Sequence, residues 1–202
     1  MTRGLALYAK GSTLHTTVDF IRTEYGDAVL ARVLADLSVE ARACVAQAAA
    51  TDEIDYEYLQ ELWTAADALV GTADPGWMER AGAFAIGLRG AKMYGGILHK
   101  KDPNEFLTQS ISLFKLYYHP GDIILVEHTP GRAVLRLVGF ESRTPLFCRR
   151  QTGGLTKALE LAGGDHASTR HVRCELEGDA YCEWELTWGS ADKTPRDAPR
   201  SA

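Results

Sequence analysis

The hydrophobic period changes at Pro120-Gly121, and few folds accommodate the change. Before that point, apolar residues recur at helical spacing. After it they alternate with polar residues in short runs broken by turns. Leu14, Val18, Phe20 and Ile21 mark an amphipathic helix that Gly26 ends, and a second helix runs from about Asp27 to Leu37. Ser38 caps a third, with Ala41, Cys44 and Val45 on one face. Leu59, Leu62, Trp63, Ala66, Leu69 and Val70 keep helical spacing up to Gly71. Pro75 to Gly96 reads as a further helix, crowded with Gly82, Ala85, Gly87, Gly90, Gly95 and Gly96. Small residues at that density point to close packing against another element. No phosphate-loop spacing accompanies them.

Asp102-Pro103-Asn104-Glu105 starts another helix: Asp caps, Pro takes the first helical position and Glu reaches back. Phe106, Ser110, Leu113, Phe114 and Tyr117 share its face. Beyond Pro120-Gly121, Asp122–His128 and Arg132–Phe140 are two strands joined at Thr129-Pro130-Gly131. Thr144-Pro145 opens a helix that ends at Gly163-Gly164. Strands follow at about Ser168–Leu176 and Ala180–Trp188. In the last, Cys182, Trp184, Leu186 and Trp188 take one face and Glu183, Glu185 and Thr187 the other. The pattern predicts an α+β fold: N-terminal helices plus a twisted four-stranded antiparallel sheet in the order strand–strand–helix–strand–strand, with helices on one face. One domain over 1–188 is expected, with a helical part at 1–100, a sheet part at 101–188 and a polar, disordered tail at 189–202.

With 202 residues and a hydrophobic fraction of 46%, the chain can bury a substantial core. A net charge of −5 argues against a nucleic-acid partner. No apolar run approaches the roughly 20 residues of a membrane span, and Met1–Lys10 lacks the form of a signal peptide. The expected compartment is the cytoplasm, where thiols stay reduced and clustered cysteines point to metal or catalysis before disulfides.

Three of the four cysteines fall in the pattern C-x25-C-x7-C: Cys148, Cys174 and Cys182. Cys174 and Cys182 flank Glu177-Gly178-Asp179, and Cys148 lies in the first turn of the preceding helix. A hairpin beside a helix start gathers zinc ligands readily. Both hairpin cysteines face one side only if the connection holds an odd number of residues or a bulge. A closed structural Zn2+ site needs a fourth ligand, and the candidates are His171, Glu175, Glu177 and Glu127. Ligand softness favours His171, although in a flat strand it would face away from Cys174. Two other readings stand beside zinc: small buried hydrophobes in a reduced cell, and a cross-strand disulfide.

The segment from Arg173 to Leu186, with Cys174, Gly178-Asp179, Cys182 and the Glu183-Trp184-Glu185-Leu186 strand end, resembles the closing motif of the 4-vinyl reductase domain. That domain is similar to the ligand-sensing domains of phenol-responsive activators, to the TRAPP vesicle-tethering subunits and to haem-nitric-oxide-binding proteins. Tyr117-Tyr118, Pro130-Gly131-Arg132-Ala133 and Ala158–Gly163 resemble a myxobacterial set of unknown function within it. The resemblance spans about Gly11 to Trp188. It implies zinc at the three cysteines, with His171 where the phenol sensors carry an acidic residue. It also implies a pocket for a small hydrophobic molecule. His99 matches the sensors' orienting histidine weakly and reads equally well as a surface residue beside Lys100 and Lys101. Phe106, Phe114, Tyr117 and Trp184 are lining candidates; the plainer reading makes them core. The haem branch fits poorly, since neither its Tyr-x-Ser-x-Arg clamp nor a recognisable proximal histidine is present.

Three functions follow. A sensor or carrier for a small hydrophobic ligand, acting through a protein partner, comes first. A homodimeric scaffold similar to TRAPP subunits is second, and a tetrapyrrole vinyl reductase or assembly factor third. Catalysis is not expected, because G-x-S-x-G and H-E-x-x-H are absent and four protein ligands leave zinc no open position.

Overall fold

The computed structural model describes residues 6–87 and 102–189, and of residues 109–113 the backbone alone. The expected glycine-rich helix beyond Gly87, His99 and the tail beyond Gly189 lie outside the described residues.

Strand β1 (Tyr8–Lys10) leads directly into helix α1 (Gly11–Ala35). The two helices expected on either side of Gly26 run end to end. Gly26, at φ 84° and ψ 168°, is the break between them. Helix α2 (Val39–Gln47) starts at Ser38, whose hydroxyl accepts from the Ala41 N–H. Strand β2 (Glu53–Asp55) precedes helix α3 (Tyr56–Val70), capped by Asp55 and closed at Gly71. Helix α4 (Trp77–Ala85) is the described part of the glycine-rich stretch. Helix α5 (Pro103–Ser110) carries the expected start, with Asp102 accepting from the Asn104 N–H at 2.9 Å. It tightens into a 3-10 turn at Ile111–Leu116 and passes into strand β3 (Tyr118–His119).

Strands β4 (Asp122–Thr129) and β5 (Arg132–Val138) form the first hairpin. Helix α6 (Pro145–Leu161), capped by Thr144, crosses to strands β6 (Asp165–Arg173) and β7 (Glu183–Gly189). The sheet order is β4-β5-β7-β6, antiparallel throughout, with α6 packed on one face. The fold is the expected α+β class. A second sheet, β2-β1-β3, was not expected from the sequence, because strands of two or three residues carry no readable period. The last hairpin also differs from expectation. Its strands stop at Arg173 and Glu183, and residues 174–182 fold into a knuckle around a 3-10 turn at Glu175–Glu177.

Two features fix the helices against the sheet. Tyr56, Phe114, Tyr118, Phe140 and Phe147 form an aromatic knot joining α3, the 3-10 turn, β3 and α6. Its ring centroids lie 5.1–6.4 Å apart. The buried Tyr56 hydroxyl donates to the Ser142 carbonyl at 2.9 Å. Helices α4 and α6 meet backbone to backbone. A Cβ at Gly82 would lie 2.1 Å from the Arg150 carbonyl oxygen, and one at Gly153 would lie 1.8 Å from that of Glu79. Gly82 thus makes the close packing expected of the small residues, while Gly90, Gly95 and Gly96 lie outside the described residues.

Two adjacent glycines test this contact. Gly153→Ala forces the helices apart and is expected to destabilise the fold by at least about 2 kcal/mol in urea denaturation. At Gly154 an added Cβ meets the Ile86 Cγ1 at 3.6 Å and the Gly82 carbonyl oxygen at 3.7 Å, both ordinary contacts. Gly154→Ala is expected to be neutral or to stabilise by up to about 1 kcal/mol.

Candidate metal centre

The alternation of β7 turns Cys182, Trp184 and Leu186 toward α6, and all three are buried. Trp184 pairs with His171, so both side chains face inward. His171 and Cys174 are three apart and would take opposite faces in a regular strand. Between His171 and Arg173 the register shifts: Arg173 pairs with Glu183, leaving Val172 as the extra residue of a bulge. The bulge resets the alternation, and Cys174 returns to the inner face. The nine-residue connection 174–182 is odd, as the geometry requires. Helix α6 supplies Cys148 from above.

The ligand atoms of Cys148, His171, Cys174 and Cys182 all lie within 4.8 Å of one another. The Cys148 and Cys182 sulfurs are 3.8 Å apart, and all the cysteines are free. A disulfide needs about 2.05 Å. Tetrahedral coordination with metal–sulfur bonds of about 2.3 Å sets sulfurs roughly 3.8 Å apart. The His171 Nε2 is buried and has no hydrogen-bond partner. A buried polar atom without a partner is costly, and a metal ion would satisfy it. The donor set therefore fits a tetrahedral ion of zinc type.

The other fourth-ligand candidates are engaged elsewhere or stand outside the cluster. Glu175 accepts from the Ser142 N–H at 2.6 Å and its hydroxyl at 2.7 Å. Glu127 pairs with Arg132 at 2.8 Å, and Glu177 is exposed. Around the cluster, the Trp184 ring stacks on His171 with centroids 4.9 Å apart and donates through Nε1 to Thr152. The Cys174 N–H donates to Asp179 at 2.8 Å, and Gly178 takes φ 98° to let the knuckle close. These contacts fix ligand orientation.

Without a metal the sulfurs share charge unevenly. The hydrogen bond from Cys148 pulls the Cys182 thiol down, against burial and with help from His171. The same hydrogen bond, then burial, pushes Cys148 up. Burial pushes Cys174 up. Cys182 is thus the thiolate of the metal-free pair. Because its folded value is depressed, its contribution to stability is full above the unfolded thiol value and is lost as pH falls through the folded one. Metal-free, reduced protein should keep a thiolate ultraviolet band at neutral pH, where an ordinary thiol with pKa about 8.5 is mostly protonated. Cys182→Ser should remove the band.

A cavity of about 70 Å³ opens on the other side of α6, between α1, α4 and the end of the 3-10 turn. Of the expected lining residues, Tyr117 borders it. Phe106, Phe114 and Trp184 are in the packed core. Arg150 borders it as well and is 5% exposed. The sequence reading passed over this residue, since an arginine early in a helix reads as solvated. The available signal was the buried, hydroxyl-rich start of α1, Ser12-Thr13 and Thr16-Thr17.

No family model and no curated protein matches this sequence. Among solved structures, the chain is similar to an H-NOX protein from S. oneidensis in the Fe(II)NO ligation state. The TM-score is 0.69 at 14% identity, covering 90% of this chain and 99% of that one. It is also similar to the Fe(II) unliganded H-NOX protein from K. algicida, with a TM-score of 0.68 at 12% identity, covering 90% and 97%. The fold is thus that of H-NOX proteins, the branch that the sequence motifs had disfavoured. At such identity the likeness carries the fold alone. The described residues do not fit a haem. The cavity is several-fold smaller than the roughly 300–1,000 Å³ of ordinary cofactor and ligand pockets, and no described histidine borders it.

Proposed function

We propose that this chain is a small-ligand sensor or carrier domain whose last hairpin is stapled by a structural Zn2+ ion. Cys148, His171, Cys174 and Cys182 are the ligands. The observation that carries the metal assignment is the unpartnered His171 Nε2, buried among three cysteines at coordination spacing. Four protein ligands leave no open position, so the ion holds structure and takes no part in chemistry. The ligand site is the cavity on the far side of α6, where the H-NOX-like arrangement of helices over a sheet supports a binding role. In this reading the domain is not an enzyme. It acts through a protein partner in a reducing compartment, where three free thiols are available to the metal.

Elemental analysis of purified protein tests the staple. Zinc near one per chain is expected, reduced in Cys174→Ser and His171→Ala and retained in Glu175→Gln. A strong chelator should lower the melting temperature by at least about 5 °C, the shift that a loss of roughly 2 kcal/mol produces in a chain of this size. Zinc content unchanged in both Cys174→Ser and His171→Ala would overturn the assignment.

A further inference from the structure

Among the described arginines and lysines, Arg150 is the buried one, and its burial conflicts with its chemistry. It sits on α6 two residues beyond Cys148, on the opposite side from the metal cluster. A guanidinium is charged at every pH of interest and carries five donors. Here it is 5% exposed, and no described carboxylate pairs with it. Its Nη2 donates to the Thr16 hydroxyl at 3.2 Å, and its Cζ lies 5.7 Å from the centre of the Trp63 ring. Its Nη1 is buried without a partner. Leaving an ionised donor unpaired in an interior is costly, so burial of this kind suits a site for an anion.

The surroundings specify that anion. The Thr13 hydroxyl, on the same cavity wall, is also buried and unpartnered. The Tyr118 phenol borders the cavity too. Burial pushes its pKa up, and the Arg150 charge and the approach of the Arg150 and Thr13 donors to its oxygen work against that shift, although neither contact reaches full hydrogen-bond geometry. The phenol therefore remains a proton donor at neutral pH. Two donors without partners and one phenol converge on a space that no described acid enters. The chain after Gly87 cannot supply an acid from nearby either, since residues 88–101 contain no Asp or Glu. The remaining wall sets small or apolar residues, Gly82, Ala85, Ile86 and Gly154, beside the neutral polar Ser12, Tyr117 and Gln151. One cation balances one negative charge. An engineered cavity of about 150 Å³ holds benzene, so at that ratio about 70 Å³ encloses roughly three heavy atoms, a carboxyl group, and a short alkyl tail would reach toward the cavity mouth.

We infer that the cavity between α1, α4 and α6 binds a short-chain monocarboxylate, its carboxylate on Arg150 and Thr13 and its alkyl end against Ala85 and Ile86. This rests on the ligand-binding role proposed above and names its ligand class. A neutral hydrophobic ligand would leave the guanidinium unpaired, whereas a carboxylate accepts its paired N–H groups in a charge-assisted contact. A phosphate dianion would bring more charge than a single arginine neutralises.

The test titrates the full, zinc-loaded chain with sodium propionate, with propionamide, with sodium phosphate and with phenol at constant ionic strength. Binding is read by calorimetry and by thermal shift. Propionate is expected to bind and to raise the melting temperature, while propionamide and phosphate do neither. Arg150→Met is expected to weaken propionate binding at least about tenfold, the loss of one charge-assisted hydrogen bond. The same variant should melt higher than the ligand-free wild type, because it removes an unpaired charge. Thr13→Val keeps the guanidinium, should fold normally and should weaken propionate several-fold, so it decides the matter even where Arg150→Met does not fold. Propionamide or phosphate binding as well as propionate, or propionate binding unchanged in Thr13→Val and Arg150→Met, overturns the inference. Phenol binding equally to wild type and Arg150→Met, with no propionate binding, overturns the carboxylate but leaves the ligand-binding role standing. If neither propionate nor phenol binds, both fall.

Discussion

The backbone contact between α4 and α6 fixes the positions of everything else that has chemistry. With Gly82 against the Arg150 carbonyl and Gly153 against that of Glu79, the two helices approach to a distance that no side chain permits. The contact is flanked by the Arg149–Glu79 ion pair at 2.7 Å, a half-exposed interaction that orients more than it stabilises. Helix α6 is thereby held in depth and rotation. Its two faces then have no choice of environment: Cys148 meets the sheet, and Arg150 is driven into the space beside α1. A cation enters the interior because the residue two before it must reach the hairpin and the residue three after it must touch α4.

On the sheet side, a local irregularity does comparable work. The bulge at Val172 and the nine-residue knuckle are each unfavourable to a plain hairpin, since they give up ladder hydrogen bonds. Together they put His171, Cys174 and Cys182 on one face. The outer face compensates in part with alternating charges. Arg136 and Arg173 both reach Glu183, while Arg132 and Arg170 reach Glu185. Glu183 is nearly buried beneath its two arginines, so this ladder also excludes water from the strand pair that carries the cysteines.

What could be read in the sequence follows from how local its signals are. The period-two run of β7 and the caps at Ser38, Asp102 and Thr144 depend on neighbours within four residues, and each appears where it was expected. The class of fold follows from those. The parity condition on the cysteine hairpin was also legible, because face alternation is a counting matter. The three short strands were not, for Tyr118-His119 has too few residues to show a period. The hairpin ends were misjudged because the knuckle is stabilised by Asp179 and Gly178 acting on Cys174, contacts that look like an ordinary turn in sequence. The cavity was missed for a different reason. Much of its wall is glycine, alanine, serine and threonine, whereas pocket reasoning looked for aromatic side chains; of those only Tyr117 borders it, while Phe114 joined the knot around Tyr56 and Trp184 stacked on His171.

The likeness to H-NOX proteins shows how far fold and site separate. The same helices lie over the same four-stranded sheet, yet 12% identity leaves almost no individual side chain in common. In this chain α1, α4 and α6 leave a space between them, and what can fill it depends on a few residues. Small residues line part of its wall, the buried arginine charges it, and His171 lies on the sheet side with the cysteines. An iron porphyrin and a structural ion make opposite demands on a histidine: one needs it facing the cavity, the other needs it in the hairpin. In this chain the pairing with Trp184 turns His171 inward and the bulge at Val172 brings Cys174 to meet it, and the cavity is left with a single positive charge as its defining feature.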